Sequence, residues 1–197
     1  MPAGRPRSFD AEQALDRALK VFWRKGYEGA SLPELTRAMG INRPSLYAAF
    51  GNKEALFRQA VQRYLDGPAR HVRTALQETT ARQVAEYWLR GSLELITSAR
   101  QPRGCFLVQG ALTCGDAAAP ARREMARQRA AGEEALRDRF QRAIDEGDLP
   151  RGSDAAALAR YLCAVAYGLA VQAASGAERG ELEQVVALAL QAFPAKI

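Results

Sequence analysis

Few residues in this 197-residue chain are of a type and spacing suited to covalent or metal chemistry. The three cysteines, Cys105, Cys114 and Cys163, show no metal-like spacing, and the single histidine, His71, stands among charged residues without a second ligand nearby. Neither a zinc site nor a disulfide framework is expected from this pattern. A nucleophile paired with a base, a metal cluster and a phosphate-binding glycine loop are likewise not evident, so neither an enzyme nor a bound cofactor is expected. Cys105 has two readings. It follows a glycine, stands where an apolar helical segment opens, and has Arg100 and Arg103 close in sequence, all features that lower a thiol pKa and raise reactivity. Against that stands the role of a buried, inert cysteine acting as a small hydrophobe, the role expected of Cys163 in its alanine-rich segment.

The non-covalent chemistry is better marked. The formal net charge is +6, and residues 1–63 hold 11 Lys/Arg against 6 Asp/Glu, whereas the remainder of the chain is nearly balanced. A basic surplus confined to one end is the electrostatic footprint of a polyanion partner. Within that end, Asn42 and Arg43 open a short helical segment, and an arginine at such a position has the fork needed to read guanine bidentately. Apolar residues at 48% and charged residues at 25% are ordinary for a soluble globular protein.

The elements that must position these groups are helical throughout. Apolar residues recur at helical spacing, and strand-like alternation is missing, so an all-α fold of about nine helices is predicted. Ala14, Leu15, Ala18, Leu19 and Phe22 mark a first helix after Ser8 as N-cap, closed by Gly26. Ser31-Leu32-Pro33-Glu34 reads as a capping box with proline in the first turn, opening a short second helix that ends at Gly40. Asn42 and Pro44 repeat the device for an equally short third helix, and Asn52 caps a fourth, amphipathic one that fades near Gly67-Pro68. A domain boundary is expected there, dividing residues 1–66 from 67–197. Further helices are predicted around Val84–Ile96, Phe106–Leu112, Ala121–Glu146, after Asp154, and around Leu182–Phe193. The segment Ala155–Ala174 approaches the length of a membrane span, but its alanine content and Arg160 favour a helix buried between other helices. No membrane association and no apolar signal segment are expected, which places the chain in the cytoplasm.

Two short capped helices between two longer ones form a helix-turn-helix pattern. The residues from Gly26-Tyr27-Glu28-Gly29-Ala30-Ser31 through Met39-Gly40-Ile41, Leu46-Tyr47-Ala48-Ala49-Phe50 and Lys53-Glu54-Ala55-Leu56 resemble the signature of TetR/AcrR transcriptional regulators, over about residues 8–61. The resemblance implies a three-helix DNA-binding domain followed by a helical effector-binding and dimerisation domain. It also implies a repressor that, as a homodimer, grips a roughly palindromic duplex until a small apolar or amphipathic effector releases it. Asn42 to Phe50 would then enter the major groove, with Arg43 as base reader beside Asn42, Pro44 and Ser45. Tyr47 and Lys53 fall where the family places phosphate contacts, and Ala49 departs from the histidine or tyrosine often found at its place. Ser31 is either a phosphate contact or only a cap. Arg5 and Arg7 either reach a minor groove or stay solvated. For the effector, Tyr87, Trp88, Cys105, Phe106, Gln109 and Tyr167 are candidates, each with core packing as the competing role. The rival readings are an enzyme and a helical module that binds protein alone. Helix four, with Lys53 at one end and Gly67-Pro68 at the other, is the expected lever between the two halves.

Overall fold

The computed structural model describes residues 9–112 and 118–194. These are all-helical, with ten helices: α1 (Ala11–Gly29), α2 (Leu32–Met39), α3 (Arg43–Phe50), α4 (Lys53–Asp66), α5 (His71–Ala75), α6 (Ala81–Thr97), α7 (Phe106–Leu112), α8 (Ala119–Asp145), α9 (Ala155–Ala174) and α10 (Arg179–Ala192). The helix beyond the sequence expectation is α5, one turn too short to show a period of 3.6 residues. Ser8, Arg5, Arg7 and Cys114 lie outside the described residues.

Side-chain caps set the helix starts. Asp10, rather than Ser8, caps α1, its Oδ1 accepting from the Glu12 and Gln13 amides at 2.9 and 3.2 Å. Ser31 accepts from the Glu34 amide at 3.3 Å, but the Glu34 carboxylate turns to Lys25 at 2.6 Å, so a salt bridge between α1 and α2 takes the place of the second half of the capping box. Asn42 and Asn52 cap α3 and α4 through Ser45 and Ala55, each at 2.8 Å. Gly40 has φ +71°, the left-handed conformation that closes α2 and lets α3 set off at an angle. At Gly26 the backbone leaves helical geometry (φ +69°, ψ −178°), and the kink turns Tyr27 back onto Phe22 and Phe57.

Two apolar clusters follow. The larger lies among α6, α8, α9 and α10, with Trp88, Leu89, Phe140, Leu162, Leu169 and Phe193 buried. Among the described residues one helix, Ala155–Ala174, is long and apolar enough to cross a membrane by length and composition alone; here it packs against α6, α8 and α10. The smaller cluster is built from α1–α4 but recruits Leu95, Phe106, Leu107, Ala121 and Met125 from later helices. Phe106, fully buried, is its aromatic centre: its ring meets Tyr64 at 5.5 Å, Phe57 at 5.7 Å and Trp23 at 6.2 Å, while Trp23 meets Tyr64 edge-on at 4.9 Å. Edge-to-face arrangements at these separations add to the burial of apolar area. Outside this cluster, Arg63 on α4 forms a two-pronged bond to Asp16 on α1 at 2.7 and 3.0 Å, a partly exposed clamp at the far end of the same helix pair.

Truncating Phe106 to Ala opens a cavity between the three remaining rings, Trp23, Phe57 and Tyr64, and is expected to cost about 3–5 kcal/mol of unfolding free energy. Urea melts of the wild-type and variant chains measure the difference. A loss below about 1 kcal/mol, the scale of an ordinary surface change, would show that the cluster does not join the elements as described.

Candidate DNA-binding and effector sites

The first site is the outer face of α3. Leu46 and Phe50 are buried against the smaller cluster, and their helical spacing turns Asn42, Arg43, Pro44 and Tyr47 outward; all four are exposed, Tyr47 at 47%. Ser45 is half-buried and its amide is held by the Asn42 cap. Lys53 begins α4 beside this face, and its ammonium lies 4.6 Å from the centre of the Tyr27 ring. Partial burial lowers the Lys53 pKa, an effect that Glu28 opposes. The aromatic face thus holds a cation at a helix N-terminus, the end that itself favours an anion. Ser31, at the start of α2, is exposed. Ala49 is half-buried and packs toward the core. Chemically the arrangement offers a guanidinium fork and an amide for base edges, flanked by an ammonium, a phenol and a hydroxyl for phosphates.

The second site is a partly open cavity of about 330 Å³ between the helices. Its wall is drawn from α4 (Tyr64, Leu65), α5 (His71, Val72), α6 (Trp88, Ser92, Ile96), the start of α7 (Leu107) with Cys105 just before it, α8 (Gln128, Arg129, Gly132) and α9 (Ala166, Tyr167). The Tyr64 hydroxyl meets the Cys105 thiol at 3.2 Å. Burial, with the nearby Cys163 thiol adding to it, pushes the Tyr167 pKa above the ordinary tyrosine range, and burial does the same for Tyr64; both phenols stay protonated. His71 contacts the Ser92 hydroxyl at 3.3 Å and packs so closely on Gly91 that a Cβ there would fall 2.7 Å from its ring. Burial lowers the His71 pKa to about 4, leaving the imidazole neutral at pH 7. Arg129 anchors itself by donating to the Leu107 carbonyl at 2.5 Å.

Comparison with known proteins decides what the two sites belong to. Residues 14–60 match the family model described as bacterial regulatory proteins, TetR family, and residues 82–189 match the tetracyclin repressor-like C-terminal domain. The chain is 32% identical to the HTH-type transcriptional repressor ComR of Escherichia coli (strain K12) over 193 residues, 97% of this chain and 92% of ComR. The chain belongs to the TetR family. It is a helix-turn-helix transcriptional regulator that binds DNA. Over 62 residues it is also 48% identical to the HTH-type transcriptional repressor BdcR of the same organism, covering 32% of each chain. A solved structure of the TetR family transcriptional regulator CifR, a cysteine mutant in complex with 26-bp double-strand operator DNA, superposes with a TM-score of 0.92 at 43% identity. That match covers 96% of this chain and 100% of the other.

Within this TetR-family regulator, the effector candidates from sequence separate. Trp88, Cys105 and Tyr167 border the cavity. Tyr87, one residue from Trp88, is 41% exposed and faces an outer groove instead. Phe106 does not border the cavity; its ring lies in the cluster it shares with α1 and α4, which Leu107 also joins and Cys105 packs against while both line the cavity. Gln109 spends its amide on the Arg103 carbonyl at 2.9 Å and does not border the cavity. Sequence reasoning missed Tyr64, His71, Ser92 and Arg129, whose convergence depends on how four helices meet. It also missed Tyr27, although the kink at Gly26 was a signal that the next residue turns inward.

The Cys105 expectation needs correcting. Burial raises its pKa, outweighing the Tyr64 hydrogen bond, the backbone amides of Leu107 and Val108, and Arg129, all of which lower it. Arg100 and Arg103 are exposed and are not among the groups that act on it. Burial raises the Cys163 pKa as well, to about 11. A raised pKa means less thiolate at neutral pH than a free cysteine holds, so maleimide labelling at pH 7 is expected to be slower than for a cysteine peptide and to accelerate as pH rises through 9. Because Cys105 opens onto the cavity and Cys163 does not, Cys105 is expected to label before Cys163, as read by peptide mapping. Prior labelling of Cys163, or a pH-independent Cys105 rate, would contradict the arrangement.

Proposed function

We propose that this regulator represses transcription in the cytoplasm by holding a roughly palindromic operator as a homodimer, and that a small apolar or amphipathic molecule in the cavity releases it. One observation carries the reading. In Cys105-Phe106-Leu107, the outer two residues line the cavity and the middle one fills the aromatic centre of the DNA-binding head. A molecule that displaces the cavity wall must therefore displace the packing of α1 and α4, so the lever includes α7 as well as helix four.

Several features support the other parts. ComR and BdcR are named repressors, and CifR was solved on operator DNA. Val171 on α9 and Val185 and Leu188 on α10 are exposed large apolar residues, Leu188 at 64%, and together they suit a self-complementary face. A dimer can engage two half-sites only if its recognition helices sit one helical turn apart, about 34–36 Å, so a small change in their separation lowers affinity. Arg43 is assigned to bases, with Asn42, Pro44 and Ser45 around it. Lys53, Tyr47 and Ser31 are assigned to phosphates.

Operator binding with paired variants tests the assignment. Arg43→Ala is expected to cost about 1–3 kcal/mol and to relax preference at particular base pairs, whereas Lys53→Ala should weaken all sequences alike and reduce the salt slope by about 1. Leu188→Glu is expected to give a monomer by sedimentation that no longer retains the full palindrome. A selected-site profile unchanged by Arg43→Ala would contradict the base-reading role, and a Leu188→Glu dimer would contradict the interface.

A further inference from the structure

The charge of the cavity wall narrows the chemistry of its ligand. Among the described residues no aspartate or glutamate borders the cavity, whereas the outer groove on the far side of His71 carries Glu78, Glu86 and Glu94. Two arginines reach the wall. Arg73 is taken up by Asp66 at 2.6 Å. Arg129 is half-buried, and among the described residues its one bonded partner is the neutral Leu107 carbonyl. A guanidinium carries five N–H donors in a planar fork, and a half-buried one with a single neutral acceptor retains unsatisfied capacity for an anion. Arg129, Cys105 and Tyr167 all line this one cavity, and the Arg129 charge favours the ionised forms of the thiol and the phenol. The Tyr64 phenol there is bonded to a thiol, a weak partner that an oxyanion displaces readily, and the Tyr167 phenol borders the same cavity. The rest of the wall is apolar, from Leu65, Val72, Trp88, Ile96 and Leu107. At about 330 Å³ the cavity stands at the small end of ligand sites, about 300–1,000 Å³.

We propose that the cavity takes a small apolar carboxylic acid as its carboxylate, paired with Arg129 and with the Tyr64 and Tyr167 hydroxyls as further donors. This rests on the reading of the cavity as the effector site and adds the class of effector: an anion with an apolar body. Lipophilic cations are rejected, because nothing on the wall offsets their charge and Arg129 repels it.

The test uses three isosteric sets on the full-length protein: octanoate, octanamide and octylamine, with 3-phenylpropanoate, its amide and its amine as a second body. Binding is read at pH 7.5 by calorimetry and by the fluorescence of Trp88 against a Trp88→Phe control. The acids are expected to bind at least tenfold more tightly than the amides, with no binding by the amines. In Arg129→Gln the acid-to-amide ratio should fall to about one with amide binding retained. Should Arg129→Gln lose amide binding too, Arg129→Lys must keep the acid preference. Amides binding as tightly as acids, any amine binding comparably, failure of both acids to bind, or an acid preference that survives Arg129→Gln would each overturn the proposal. An acid that binds as expected but leaves operator affinity unchanged would overturn the effector reading instead, leaving the ligand class standing.

Discussion

Everything in this molecule depends on the contact among Trp23, Phe57, Tyr64 and Phe106. The head built from α1–α4 is small, and its apolar cluster is completed by residues from α6, α7 and α8. Close-packed rings do not deform gradually; a displaced ring either reseats or forces its neighbours to move. Tyr64 belongs to both bodies, with its ring in the cluster and its hydroxyl on Cys105 at the cavity. The joint therefore fixes the orientation of α3 relative to the cavity wall, which is the geometric condition for a ligand to act on DNA affinity.

Two kinds of polar chemistry are kept apart by that joint. On α3 and the starts of α2 and α4, polar groups are exposed and spread for a polyanion whose attraction is long-ranged and screened by salt. In the cavity, a few polar groups are half-buried in apolar surroundings, where each contact is stronger and an unpaired one costlier. The neutral His71, seated on Gly91, marks the boundary between the cavity and the charged outer groove. Coupling between the sites is reciprocal by thermodynamic necessity, so operator binding must also alter the cavity.

How far the sequence revealed this depends on the range of the interaction. Caps at Ser31, Asn42 and Asn52, the turn at Gly40 and the outward face of Arg43 and Tyr47 were legible because each is decided within a few residues. α5 was not, being too short for periodicity, and Ser8 was taken for a cap whose place Asp10 holds. The cavity was legible only in part. Trp88 and Tyr167 were found as aromatics on the right helices, whereas neighbouring positions turn the other way: Tyr87 to an outer groove, Phe106 to the head. Residue type alone does not reveal which side of a helix meets a void. The Cys105 thiol shows the same limit, since sequence neighbours suggested a lowered pKa while tertiary burial raises it.

The most direct test follows operator binding back to the cavity without any effector. Amide hydrogen exchange compared with and without operator duplex reports which segments feel DNA. Trp23 neither borders the cavity nor lies on α3, so Trp23→Phe alters the joint alone. With the natural chain, protection is expected to extend beyond α2–α4 to the amides of Phe106–Val108 and Gln128–Gly132, and in Trp23→Phe to weaken at those two segments while persisting on α3. Protection that stops at α4 in the natural chain, or that reaches the cavity undiminished in Trp23→Phe, would contradict the account.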